Sequence, residues 1–232
     1  YPHQKRRISG QDKAYAGDMM INVRWHGHSC FELTDDVTLV TDPHDGSSIG
    51  IQPPGVRADV VLVSHDHYDH NKVKAVKKDT TTVIREGDTT IEGIQISSFP
   101  GYHDREDGAK RGSITIFRFI MDDITFCHLG DLGHLVDDEL AETIGDVDVL
   151  FVPVGGVFTI DGDEALKVCK TMNPSVVIPM HYKMGGLSLP IERIDPFLDA
   201  ARPYYTIRHV ANEIEVDKSD LPTEPEIWVF TL

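Results

Sequence analysis

Seven consecutive residues constrain this chain more than any others: Ser64-His65-Asp66-His67-Tyr68-Asp69-His70, placed directly after the apolar run Asp59-Val-Val-Leu-Val-Ser64. A continuous β-branched run of that kind reads as a strand buried on both faces. The residues that follow then emerge at the mouth of a sheet, where loops carry function. In an extended segment His65 and His67 project to the same side, so both imidazoles reach one ion. If the chain turns into a helix near Asp69, Asp69 and His70 face a second ion nearby. Imidazole and carboxylate donors suit zinc, manganese or iron, and no thiolate is needed.

Other strands end in the same residue types. Ile94–Phe99 leads to His103, Ile124–His128 to Asp131 and Val176–Pro179 to His181. Each is an ordinary loop residue by itself. Added to the first cluster, they complete two three-residue sites that share one carboxylate.

The remaining pattern is mixed. Ile21–Trp25, Cys30–Leu33 and Thr38–Thr41 read as a strand meander, with further strands at Thr81–Ile84, Thr89–Ile91, Ser113–Ile120 and Asp148–Val152. Helical spacing covers Asp137–Ile144, and Asp161 is placed to cap a helix through Met172, ahead of Pro174. Pro190–Ala200 reads as another helix, and strands Tyr205–Val210 and Ile227–Thr231 close the chain. The runs beginning at Asp59 and Asp148 echo one another. Two β-rich halves, each flanked by helices, give an α/β four-layer αββα sandwich.

Composition narrows the partners. The formal net charge of −16 repels nucleic acid and anionic lipid over most of the surface. No apolar run has the length of a membrane span. Cys30, Cys127 and Cys169 stand singly in apolar stretches, which argues for reduced, buried thiols and a cytoplasmic protein. Residues 1–19 carry Lys5, Arg6 and Arg7 without a signal-type apolar core. They read as a polar tail or expression remnant, leaving residues 20–232 as one domain.

With these residues assembled, the chain resembles the metallo-β-lactamase superfamily from about Met20 onward. Asp42 in Thr-Asp-Pro matches its first motif, and His65, His67, Asp69 and His70 match the second. His103, Asp131 and His181 match the next three. The resemblance implies that His65, His67 and His103 hold one metal and that Asp69, His70 and His181 hold the other, with Asp131 bridging. It makes Asp42 a residue that orients ligands without binding the ion itself. Gly27-His28-Ser29-Cys30-Phe31, Pro153-Val-Gly-Gly-Val-Phe-Thr159 and Ile178-Pro-Met-His-Tyr182 resemble the branch that contains L-ascorbate-6-phosphate lactonase. β-Lactamases proper usually carry arginine at the position of His70 and cysteine at that of Asp131, and flavodiiron oxygen reductases carry glutamate at that of His67.

The function so implied is a dinuclear metal-dependent hydrolase. It would use a metal-bridging hydroxide on an ester-like bond, a lactone or a phosphodiester, of a small anionic substrate. Zinc is the first choice of metal, with manganese and iron as alternatives, and Asp69 and Asp131 are the residues nearest the chemistry. His28 is a candidate substrate contact or supporting residue, with a structural hydrogen bond equally open. His134, Arg105, Lys110, Arg111 and Lys183 are weaker candidates whose default is a solvated loop. Homo-oligomerisation stays open. The competing classes are a non-catalytic metal-binding or sensor protein on the same fold, and a nuclease, against which the acidic charge weighs.

Overall fold

The computed structural model describes residues 20–232, so the tail assigned to residues 1–19 lies outside the described residues. Alternation builds the first strand, β1 (Ile21–Trp25): Ile21, Val23 and Trp25 turn inward, while Arg24 faces out and pairs with Glu213. It is followed by β2 (Phe31–Thr34), β3 (Thr38–Thr41), β4 (Ala58–Leu62) and β5 (Lys77–Ile84). With β13 (Glu213–Val216) these form a six-stranded sheet in the order β13-β1-β2-β3-β4-β5.

The second sheet collects β6 (Thr89–Ile91), β7 (Ile94–Tyr102), β8 (Ser113–Met121), β9 (Ile124–His128), β10 (Val149–Pro153) and β11 (Val176–Met180). With β12 (Thr206–His209) and β14 (Glu226–Val229) it runs β12-β14-β11-β10-β9-β8-β7-β6. β10 and β11 are buried at every position, as expected of parallel strands covered on both faces.

The main core lies between the sheets. Phe31 of the first sheet meets Phe151 of the second with ring centroids 4.5 Å apart, and Phe126 stacks beyond it at 6.3 Å. Three helices, α1 (Asp138–Ile144), α2 (Gly162–Met172) and α3 (Asp195–Ala201), pack with the second sheet. Asp161 starts α2 as read from the sequence, in a capping box with Glu164. A smaller cluster of Cys30, Val40, Ala58, Val61, Val63 and Val76 covers the outer face of the first sheet, closed by a 3-10 turn at Val73–Ala75. This is the αββα sandwich, with a thin layer over the six-stranded sheet.

Two expectations change. No α-helix follows Asp69: residues 68–70 form a single turn ahead of the 3-10 turn at Val73–Ala75, and Lys72 N–H donates to Pro43 O at 2.8 Å, tying the segment to the loop after β3. The helix expected over Pro190–Ala200 starts only at Asp195. Its first residues are drawn into loop pairing, where Glu192 N–H donates to Gly155 O at 2.8 Å and Lys183 N–H to Glu192 O at 2.7 Å.

Candidate metal centre

The parallel strand pairs β3–β4 and β9–β10–β11 align their C-terminal ends at one edge of the sandwich. Asp42 leaves β3, His65 to His70 leave β4, Asp131 follows β9 and His181 follows β11. His103 arrives from the end of β7, and His28 from the turn between β1 and β2. His28, Asp42 and His181 all have positive φ, at 55°, 37° and 54°. Non-glycine residues pay for that conformation, and such strain gathers at functional sites.

Three groups of donors have ligand atoms within 4.8 Å of one another: His65, His67 and His103; His28, Asp69, His70 and His181; and Asp42, His65 and His70, in which Asp42 stands behind the two rings. Asp131 stands between the first two. Its Oδ2 is 3.7 Å from Nε2 of His65 and 3.2 Å from that of His103 in the first group. It is 3.2 Å from Nε2 of His70 and 3.1 Å from that of His181 in the second. Every residue singled out in the sequence for metal binding is thus brought to one place.

The backs of the rings fix their tautomers. His70 Nδ1–H donates to Asp42 Oδ2 at 3.0 Å. Ser64 Oγ–H donates to Asp42 Oδ2 at 2.6 Å, which leaves that hydroxyl to accept from His65 Nδ1–H at 2.9 Å. His103 Nδ1–H donates to the Phe158 carbonyl at 2.9 Å. In all three the Nε2 lone pair is turned toward Asp131. His67 presents Nδ1, 2.9 Å from His65 Nε2.

Lone pairs facing a carboxylate oxygen repel unless positive charge sits among them, and the electrostatics show that demand. Burial opposes charge on His70, yet Asp131, Asp42 and Asp69 together outweigh it and raise the His70 pKa well above the ordinary value. Burial likewise works against the Asp131 anion, but His181 and His70 hold its pKa well below the carboxylate range. His65 is pushed down to about 3 by burial and by His70, and His28 to about 3 by burial and by His181, so both are neutral donors at pH 7. Asp131 Oδ1 and His181 Nδ1 are buried without a hydrogen-bond partner. A buried polar atom left so costs about 1–3 kcal/mol. A ring of imidazole nitrogens, two carboxylates and an orphaned carboxylate oxygen fit divalent cations, whose charge would take the place of the protons that Asp131 draws onto His70 and His103.

His28 sits deeper in the site than its sequence suggested. Its Nε2 is 3.0 Å from Asp69 Oδ2 and 3.1 Å from His70 Nε2, and its Nδ1 has no partner. Sequence reasoning missed His128, which has both nitrogens engaged: Nε2–H donates to Ser29 O at 3.1 Å and Nδ1 accepts from Gly130 N–H at 3.2 Å. It braces the turn that delivers Asp131. Only its place at the end of an apolar strand could have signalled this. His134 is turned away: Nδ1–H donates to Leu135 O at 2.8 Å, and Nε2 accepts from Tyr102 N–H at 3.2 Å.

A cavity of about 500 Å³ opens over the cluster, within the usual range for small-molecule sites. Its floor includes Asp69, Asp131 and His181, and Tyr68, Phe158, Leu189 and Pro190 form an apolar wall.

Two sheets with histidines and aspartates gathered at one edge define a metallo-β-lactamase-type protein. Comparison with known proteins agrees. Residues 22–181 match the Beta-lactamase superfamily domain, and the chain belongs to this superfamily, among its metal-dependent hydrolases. A Thermotoga maritima structure assigned to the Zn-dependent hydrolases of the metallo-beta-lactamase superfamily is 36% identical. It superposes with a TM-score of 0.73, covering 90% of this chain and 98% of its own. The UPF0173 metal-dependent hydrolase of Thermococcus kodakarensis is 30% identical over 190 residues, which is 70% of this chain and 85% of that protein. Its counterpart from Thermoplasma acidophilum is 27% identical over 222 residues, 84% of this chain and 99% of that protein.

Proposed function

We propose that this chain hydrolyses an ester-like bond, a lactone or a phosphodiester, in a small anionic molecule at a site for two divalent metal ions. The observation that carries the reading is Asp131. One of its oxygens lies 3.1–3.7 Å from four imidazole nitrogens drawn from the first two groups, and the other is buried without a partner. That is where a carboxylate shared by two cations belongs.

His65, His67 and His103 would hold one ion, and Asp69, His70 and His181, with His28 beside them, the other. The all-nitrogen-and-oxygen donor set favours zinc, with manganese or iron as alternatives. Two such ions, when bound, bring the pKa of a shared water toward neutrality and polarise the carbonyl or phosphoryl oxygen under attack. The protein supplies the geometry: Asp42, Ser64 and the Phe158 carbonyl hold three rings in register. A substrate seated against the apolar wall would exclude bulk water, which strengthens every charge interaction inside. Among the described residues no helix is long and apolar enough to cross a membrane. The three buried, unpaired cysteines support a cytoplasmic setting.

Elemental analysis of protein purified without added metal, beside His65→Ala and Asp131→Asn, tests the reading. The expected result is about two equivalents in the wild type, falling in both variants, with lactone or phosphodiester hydrolysis lost in folded Asp131→Asn. Wild-type protein that is metal-free and takes up no added ion would overturn it.

A further inference from the structure

The loop after His103 is built around one carboxylate. Asp104 accepts backbone N–H bonds from Glu106 at 2.8 Å, Gly108 at 3.0 Å, Lys110 at 2.9 Å and Arg111 at 2.7 Å. Four charge-assisted bonds on one side chain make a rigid platform out of what the sequence presents as a solvated loop. The platform adjoins the metal centre: His103 N–H donates to Gly112 O at 3.0 Å, and Gly133 N–H, just past Asp131, donates to Tyr102 O at 2.9 Å.

Lys110 and Arg111 line the cavity, Arg105 and Lys183 lie two residues beyond His103 and His181 in sequence, and three of these four cations are committed. Arg105 is paired with Glu164 and Lys110 with Glu106. The Lys183 ammonium donates to the carbonyls of Leu187 and Leu189. Arg111 has no ion pair or side-chain hydrogen bond among the described residues. Its guanidinium lies over the Phe158 ring, 5.3 Å from the centroid, and it lines the cavity above the cluster. Phe158 therefore joins the two functions, since its carbonyl also orients His103. It is held there by a tight loop in which Val157, a β-branched residue, adopts φ 58°.

We propose that Arg111 is the anion-recognition residue of this site, and that the substrate is a small ester or lactone carrying a carboxylate or phosphate group apart from the bond that is cleaved. The proposal rests on the hydrolase reading above. The planar guanidinium presents a fork of donors matched to a two-oxygen face, and its aromatic support holds it flat without consuming those donors. On a chain of net charge −16, one uncommitted cation beside the cavity is what distinguishes this mouth from the repelling surface around it. The apolar wall of Tyr68, Phe158, Leu189 and Pro190 would cover the carbon skeleton between the two ends.

The test uses the zinc-loaded full chain and a matched pair of aryl esters, one ending in a carboxylate and the other in a carboxamide. Arg111→Ala should raise KM for the carboxylate ester about tenfold or more. Its kcat should be unchanged, as should both constants for the carboxamide. Arg111→Lys should recover part of the loss, and Arg105→Ala should behave as wild type. A second measurement needs no turnover: calorimetric titration of the metal-free protein with glutarate near pH 8 should show binding that Arg111→Ala weakens about tenfold and Arg105→Ala does not. Equal effects of Arg111→Ala on both esters, or glutarate binding indifferent to it, would overturn the proposal. Arg111-dependent glutarate binding in a protein that takes up no added metal ion would keep the anion site and remove the hydrolase reading.

Discussion

Asp42 stands behind His70, with its Oδ2 accepting the imidazole Nδ1–H at 3.0 Å while the opposite face of the ring points to Asp131. The same oxygen accepts from Ser64 Oγ–H, and Oδ1 accepts from Ser64 N–H at 2.7 Å. Burial alone would raise the Asp42 pKa, but the His70 hydrogen bond and the charges of His70, His128 and His65 together outweigh it and lower the carboxyl below its ordinary value. Asp42→Asn sets an amide where three donors now meet. If its NH2 faces His70, the ring must move its proton to Nε2, and the lone pair is lost to the ion. The expected outcome is a fall of about 10–100-fold in metal affinity, read by competition with a chromogenic chelator. Unchanged affinity would remove Asp42 from the orienting role.

His28 offers a sharper division between the two halves of the centre. Its Nε2 contacts belong to the group of Asp69 and His70. If the centre takes the two ions proposed, His28→Ala should therefore weaken one metal equivalent about tenfold or more and leave in place the other, at His65, His67 and His103. Stepwise titration of the metal-free variant with zinc would show one tight and one weak phase. Two undisturbed phases would return His28 to a purely structural part.

Much of this arrangement was legible because its signals are local. The buried run before Ser64 and the alternating ligands after it announce both strand and site in one stretch. Asp131 and His181 could be read because each follows a strand of strong apolar character, and His103 because it follows the alternating strand β7. What stayed hidden depends on contacts far along the chain. β13 is only Glu213-Ile-Glu-Val216, short and charged, and it is a strand because it pairs with β1, Ile21 opposite Val216. The late start of α3 has the same origin, since Glu192 is claimed by the backbones of Gly155 and Lys183. Arg111 looked like any loop cation, because Asp104's hold on the loop is made of backbone donors that the residue names do not reveal.

Gly155 shows how closely that backbone is fitted. A Cβ there would lie 2.0 Å from the His181 carbonyl oxygen, a backbone atom that cannot swing aside. Gly155→Ala must push the β11 turn away from Asp131. It should cost about 1–3 kcal/mol in urea denaturation, from overpacking, and reduce metal uptake with it. Gly55, with nothing within 4 Å of its would-be Cβ, supplies the control. Gly55→Ala should stay within about 0.5 kcal/mol of wild type. If the two variants were equally stable, the close approach to His181 would carry no weight.

His44 sets a pH dependence that can be isolated by difference. It is buried, its Nε2–H donates to His26 O at 3.0 Å, and its Nδ1 accepts from Gly46 N–H at 3.1 Å. Burial is the main cause that lowers its pKa to about 4, and a proton on Nδ1 would also displace the Gly46 bond. In the unfolded chain the imidazole titrates near about 6.5. Between those values the unfolded state binds the extra proton and the native state does not, so stability is full above about 6.5 and falls as the pH drops toward 4. The linkage is worth about 1.4 kcal/mol per pH unit across that window, and up to about 3 kcal/mol in all. Replacing His44 with Gln keeps an N–H donor and removes the titration. Whatever stability wild type holds over His44→Gln at pH 7 should shrink by about that slope on going to pH 5.5 and then pH 4.5. Urea denaturation of metal-free protein reads it directly, and a difference that stayed constant would mean that His44 titrates alike in both states.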